Sequence, residues 1–407
     1  MPFFRHAITR RQALKGAAAA GLATAAVSVL SSCKSGDDGT APAPTVVDST
    51  SATYITGSGS IQGTFEESGA AELNLLATWT TPLGTTLRPA EGSWKPFVTP
   101  AATGAGMTQA GVVSIDSGTL LTLVDKSVAG GTYVVYDARC SDEVFAWVEL
   151  DIVSRAWKLY GATLDAGELG AKTVLWEATS DFDPPSLCCS GKRVLWLVMP
   201  SASGPRVTEA SSCYLWKAGE SSADEVVRSQ GHFGCEPSIS DGVVTLAPRV
   251  RTSEGRYYGI TAYSLNDDLS TVLGQLVLPQ SVAPFKATRI DDKFAFSIEA
   301  NYSSGGLLGQ MGTYIGNGDD PFLVLPIEPA ADVSGKDGVY VIKARSSHLV
   351  IDSNEKKYWT LVAPNRSVDY GDYPATLGTT STFVSFATVK DQETGYPSAV
   401  TIRAFAL

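Results

Sequence analysis

Three observations predict an all-β chain folded as a β-propeller. A strand-turn-strand unit recurs along residues 134–407, the apolar strands of successive units start 44 to 51 residues apart, and each unit carries enough further strand-like runs for four strands. Periods of about 40–50 residues with several strands per unit belong to propeller blades. The chain's 39 Gly and 21 Pro among 407 residues, with few long amphipathic stretches, agree with turn-rich β structure.

The units read ARCSDEVFAWVEL, SLCCSGKRVLWLVMP, EPSISDGVVTLAP, ATRIDDKFAFSIEA, ADVSGKDGVYVIKA and ATLGTTSTFVSFATV. Their apolar strands begin at Val144, Val194, Val243, Phe294, Val339 and Phe383. Each pairs a short strand, a tight turn rich in Asp, Gly or Lys, and a strand of β-branched and aromatic residues that suit a pleated, buried sheet. Six blades are read directly, and a seventh is left open over residues 70–133, where the repeat is degraded. The last unit has only three strands before the C-terminus. An open edge is costly, so an N-terminal segment, AELNLLATW or GVVSIDSG with LLTLVD, is expected to complete it. The pattern resembles the TolB-like propellers of bacterial extracytoplasmic proteins, a likeness of architecture that covers residues 134–407.

Ahead of the repeat, Thr9-Arg10-Arg11-Gln12-Ala13-Leu14-Lys15 precedes an uncharged, alanine-rich run from Gly16 to Leu30 that ends in Leu30-Ser31-Ser32-Cys33. A basic start, a short apolar run and small residues are the anatomy of an export signal, and the run is too short to span a bilayer. Arg10 and Arg11 resemble a twin-arginine export motif, with Ala13 departing from the usual bulky apolar residue. Leu30 to Cys33 resembles a lipobox, which implies lipidation of Cys33. The expected organisation is a signal over 1–32, a lipidated, flexible Ser/Gly/Thr/Pro-rich tether over 33–70, and the propeller over 71–407. The protein is expected on the outer side of the cell membrane, held by lipid.

The net charge is −11 with pI ≈ 4.9, and loss of Arg5, Arg10, Arg11 and Lys15 with the signal makes the mature chain more acidic still. Such a chain is repelled by nucleic acid. Cys140 and Cys189 fall in the slot that Ile239 and Ile290 fill in later units, which marks them as core residues. Pairing of Cys213 with Cys188 or Cys235 is left open. No zinc spacing, Gly-x-Ser-x-Gly elbow, His-Glu-x-x-His or phosphate loop is present, so no cofactor and no metal is expected.

Propeller loops that join one blade to the next gather around the axis, and they supply the candidate site. The candidates are Asp181 and Asp183 in SDFDPPS, His232 and Phe233 in GHFGCEP, Lys286 in PQSVAPFKA, and Asp369, Tyr370, Asp372 and Tyr373 in NRSVDYGDYP. Glu149 and Glu299 end equivalent apolar strands, with Arg249 in the unit between them. His348, at a strand start in SSHLVID, reads as a strand residue rather than a base. The expected role is a monomeric binding or scaffold module for an envelope protein, peptide or glycan, with a propeller lyase or hydrolase as the alternative.

The anchor is tested by Cys33→Ala, which should move the protein from the membrane fraction to the soluble fraction without changing its fold. Equal membrane retention of the variant would contradict lipidation at Cys33.

Overall fold

The computed structural model describes residues 42–45, 49–59, 61–69, 73–100, 107–299, 307–327, 332–367 and 371–407. The export motif and Cys33 lie outside the described residues, as do Asp369 and Tyr370.

The described residues form seven sheets, each with a four-stranded antiparallel core. The expectation of an all-β propeller is borne out. All six repeat units are blades. A seventh sheet, from the stretch left open in the sequence, stands at the head of the ring as blade 1, with strands Thr86–Leu87, Trp94–Pro100, Met107–Ser114 and Leu120–Val124. Blades 2 to 7 have their innermost strands at Tyr133–Cys140, Leu187–Ser190, Ser238–Ser240, Pro284–Ile290, Val333–Lys336 and Asp372–Pro374.

The repeat is legible because the second strand of a blade is buried on both faces. Val144, Ala146 and Val148 pack toward blade 3, while Phe145 and Trp147 pack toward blade 1. Period-2 side-chain alternation then yields a continuous apolar run rather than an apolar-polar one. In blade 1 the run is broken by Lys95. This side chain is 2% exposed, and its Nζ donates to the carbonyls of Ala90 and Gly92. Burial lowers its pKa to about 8. Trp94 lies 50 residues before Val144, so the seventh unit keeps the period and loses only the apolar signature.

One apolar cluster fills each interface between neighbouring blades. The cluster of blades 7 and 1 joins Ala375, Val384, Phe386, Val400, Ile402 and Ala404 to Leu87, Phe97 and Val113, and so closes the ring. Cys140, Cys189, Ile239 and Ile290 are all buried, as their shared slot requires. Cys140, Cys188, Cys189, Cys213 and Cys235 are free thiols, so neither of the pairings left open for Cys213 is formed.

The first strand of the chain's propeller completes its last blade. Leu75–Pro82 pairs antiparallel with Pro397–Ala406, with Thr78 opposite Arg403 and Thr80 opposite Thr401. This is the first of the two segments expected there. The second supplies the outer strands of blade 1. Trp79 then ties blade 7 to blade 1, since its indole N–H donates to the Ile115 carbonyl at 3.0 Å.

The tether expectation needs correction over the described part of 42–69. Thr45 N–H donates to the Val277 carbonyl at the outer edge of blade 4. Thr53–Tyr54 pairs parallel with Leu323 and Val324 of blade 5, and Glu66–Glu67 with Lys357 and Tyr358 of blade 6. The segment thus runs along the outer rim of blades 4, 5 and 6 before it becomes the outer strand of blade 7. Its composition is polar, but Tyr54, Ile55 and Phe65 are buried between blades. The outer strands offer unpaired backbone groups that this segment satisfies. Three well-placed apolar side chains and an open edge outweigh a composition that otherwise reads as a linker.

Docking of this strap makes a stability prediction. Ile55, 1% exposed in the cluster of blades 5 and 6, should cost about 2–5 kcal/mol when changed to Ala, seen as a lower urea midpoint. An unchanged midpoint would show that the segment does not dock.

Candidate functional site

The inner strands leave an axial cup that opens on the face carrying the blade-to-blade loops. Its volume is about 290 Å³, and it takes side chains from six blades and from the floor strand of the seventh. The acidic wall begins just ahead of inner strands, at Glu236 and Asp332, and Pro184, Pro185 and Pro237 shape the same loops. Proline presets φ and so stiffens such loops.

Two β-bulges set the charged residues. In blade 2 the register shifts between Val135 and Asp137, which makes Tyr136 the extra residue. Val135 opposes Glu149 while Asp137 opposes Val148, so the bulge moves Asp137 and Arg139 to the other face of the strand. In blade 5 the register shifts between Pro284 and Lys286, with Phe285 as the extra residue. Bulges commonly redirect side chains in this way. Both extra aromatic residues are exposed, Tyr136 on the lining of the cup.

The charges form two groups. On one wall, Asp137 holds Arg88 through its Nε at 3.0 Å and Arg139 through its Nη1. On the other wall, Lys286 Nζ lies 2.7 Å from Glu236 and 3.6 Å from Asp332. Burial opposes the charge of Arg139, but Asp137 and Glu236 outweigh it and raise its pKa. Burial likewise opposes the charge on Lys286, and Asp332 and Glu236 raise its pKa overall. Burial would raise Glu236, but Lys286 outweighs it and holds the carboxylate below its usual range. These three groups are therefore fixed in their charged forms at neutral pH.

The far end of the cup is closed. Gly378–Thr379, in the turn that follows the inner strand of blade 7, pairs parallel with Ser334 and Gly335 of blade 6. Thr379 N–H donates to Ser240 Oγ of blade 4, and Thr379 Oγ1 accepts from Asp291 N–H of blade 5 at 2.8 Å. Gly378 has φ 76°, and a Cβ there would overlap the Ser240 side chain, so glycine is required at this crossing. Glu91 of blade 1 also reaches the axis, where its Oε1 accepts from Asp241 N–H of blade 4 at 2.9 Å. Leu377 lines the cup above this floor.

Of the described residues expected at the site, the cup takes only Lys286. Glu149 is fully buried and accepts from Ser127 Oγ, Val128 N–H, Ala129 N–H and the Trp147 indole, which pins the loop entering blade 2. Glu299, its counterpart by sequence, is exposed. Phe233 is buried between blades 3 and 4, and its neighbour His232 is half-buried. Arg249 packs its guanidinium against Gly231. Asp181 is exposed, and Asp183 accepts at 3.1 Å from Ala202 N–H of the loop that joins the second and third strands of blade 3.

Asp372 and His348 are buried between blades 6 and 7. Asp372 pairs with Arg403, which also donates to the Val362 carbonyl at 3.0 Å. His348 Nδ1 lies 3.7 Å from Asp372 Oδ2, and burial lowers its pKa, which favours the neutral ring. This polar group occupies the interface with the smallest apolar cluster. Tyr373 is exposed, with Lys343 Nζ 5.1 Å from its ring centroid.

The residues that the sequence did not single out are Arg88, Tyr136, Asp137, Arg139, Glu236 and Asp332. Charged residues inside or immediately before an inner strand, where the other units place small or apolar residues, were the available signal.

No protein-family model matches the sequence, and no curated protein sequence matches it. The chain is similar in architecture to an oligogalacturonate lyase from Vibrio parahaemolyticus, at 11% identity and TM-score 0.47, over 82% of this chain and 98% of that one. It is similar to an acylaminoacyl peptidase from Pyrococcus horikoshii at 13% identity and TM-score 0.40, over 76% of this chain and 51% of the peptidase, so it spans about half that enzyme's length. It is also similar to the β-propeller domain of the trilobed protease from Pyrococcus furiosus, at 10% identity and TM-score 0.32, over 64% of this chain and 92% of that domain.

Proposed function

We propose that this chain is an extracytoplasmic, lipid-anchored binding protein whose propeller takes its ligand in the axial cup. The observation that carries the reading is the convergence of six charged side chains from blades 1, 2, 4, 5 and 6 on one closed-ended cavity. Binding sites are concave, preformed and equipped with a few placed polar groups, and a ring of strands holds such groups with little freedom to relax. The outer location rests on Arg10, Arg11 and the Leu30 to Cys33 pattern. A lipid anchor would keep the cup near the membrane, where envelope peptides and glycans are available.

The alternative is a lyase or hydrolase that works in the same cup. A general base is most effective with a pKa near the working pH, whereas Glu236 is held ionised by Lys286. The two histidines that follow the signal region, His232 and His348, do not line the cup. These features support binding over turnover.

The test is a thermal-stability titration with peptide and glycan fractions of envelope extract. The wild type should gain stability with at least one fraction. Tyr136→Ala with Arg88→Gln, at partly exposed positions on the lining, should fold normally and lose that gain. An equal gain in the variant would place binding elsewhere, and consumption of a fraction component would support the enzyme.

A further inference from the structure

The cup is bipolar, and the two poles face each other across the axis. On the wall of blades 1 and 2, two guanidiniums share one carboxylate, so Arg88, Arg139 and Asp137 together carry one excess positive charge. On the wall of blades 4, 5 and 6, two carboxylates share one ammonium, so Glu236, Asp332 and Lys286 together carry one excess negative charge. In a ring of seven, the midpoint between blades 1 and 2 lies opposite blade 5. The walls are close enough for Arg139 and Glu236 to act on each other's charge.

From this arrangement, and resting on the reading of the cup as a binding site, we infer that the ligand is a small zwitterion: a free amino acid or short peptide whose carboxylate meets Arg88 and Arg139 and whose ammonium meets Glu236 and Asp332. The donors for the carboxylate are in place. Arg88 spends only its Nε on Asp137, so its two terminal nitrogens remain for a bidentate contact with a carboxylate. The acceptors for the ammonium are in place as well. Glu236 uses one oxygen on Lys286, and Asp332 stands 3.6 Å from the same Nζ, longer than a hydrogen bond.

Size and selectivity agree. About 290 Å³ is at the lower end for ligand sites, which favours one or two residues over a long chain. A ligand with one charge is attracted by one wall and repelled by the other, and an anion meets the acidic protein as a whole besides. A ligand with both charges gains at both walls, which is complementarity with built-in rejection of the singly charged analogue. Tyr136, Pro89, Pro184, Pro185 and Pro237 supply apolar contact between the poles.

The test uses alanine, leucine, phenylalanine, alanyl-alanine and leucyl-leucine as probes, each also as its N-acetyl and C-amide form, titrated calorimetrically into the whole protein. At least one zwitterion should bind, and blocking either end should weaken it ten-fold or more. Two variants separate the poles. Arg88→Gln should remove the preference for a free carboxylate while leaving that for a free ammonium, and Glu236→Gln should do the reverse. A general loss of structure would instead weaken every probe alike, and a melting curve for each variant checks this. Equal binding of the blocked forms, or both variants losing both preferences with an unchanged melting curve, would overturn the inference. If no probe binds while an envelope fraction still stabilises the wild type, the zwitterion is refuted and the cup stands. If neither binds, the reading of the cup falls with it.

Discussion

Everything in this molecule depends on how the edges of its sheets are satisfied. A four-stranded blade has two edges of unpaired backbone groups and two apolar faces; the faces must be buried for it to be stable, and each open edge that is paired removes a liability. Circular arrangement covers the faces, because each apolar cluster is shared between neighbours. It does not cover the outer edges. Here the N-terminal segment reaches three of them: it bonds to the rim of blade 4, pairs along blades 5 and 6, and then becomes the outer strand of blade 7. The first strand of the propeller thereby holds its last, and the ring cannot open without breaking a ladder from Leu75 to Pro82.

The cup follows from that closure. Its charged groups come from blades far apart in sequence, and each group is placed by an inner strand whose position depends on the whole ring. Asp137 of blade 2 reaches Arg88 of blade 1, and Lys286 of blade 5 lies between carboxylates of blades 4 and 6. Pairs of this kind add little net stability when partly exposed. Their value lies in fixing where charge stands. The turn at Gly378, which crosses from blade 7 to blades 4, 5 and 6, makes the axis a cup with a floor.

The propeller was legible in the sequence because second strands are buried on both faces and so repeat as apolar runs. Blade 1 was illegible because Lys95 interrupts its run and satisfies its ammonium with two carbonyls of the neighbouring turn. The strap was illegible because composition averages over residues, while docking rests on Tyr54, Ile55 and Phe65 alone. The site was legible only in part. The loops singled out in the sequence lie on the face where the candidate cup opens, but the cup is lined mostly from inner strands and the residues just ahead of them rather than by the charged and aromatic loop residues. Two bulges caused the difference: the alternation that would place Asp137 beside Val135 is reversed at Tyr136. A register shift depends on partner strands and leaves no local mark. Glu149 and Asp372 carry the residue type of a site but serve burial, one holding a loop and the other neutralising Arg403 between blades 6 and 7.

Native-state hydrogen exchange over the closing strand tests this account most directly. If pairing with Pro397–Ala406 holds the ring, the amides of Leu75–Pro82 that enter that ladder should exchange as slowly as those of Thr382–Lys390 in the same sheet, and only through opening of the whole domain. Exchange of these amides at the rate of an exposed loop, with the rest of blade 7 still protected, would contradict closure by the first strand.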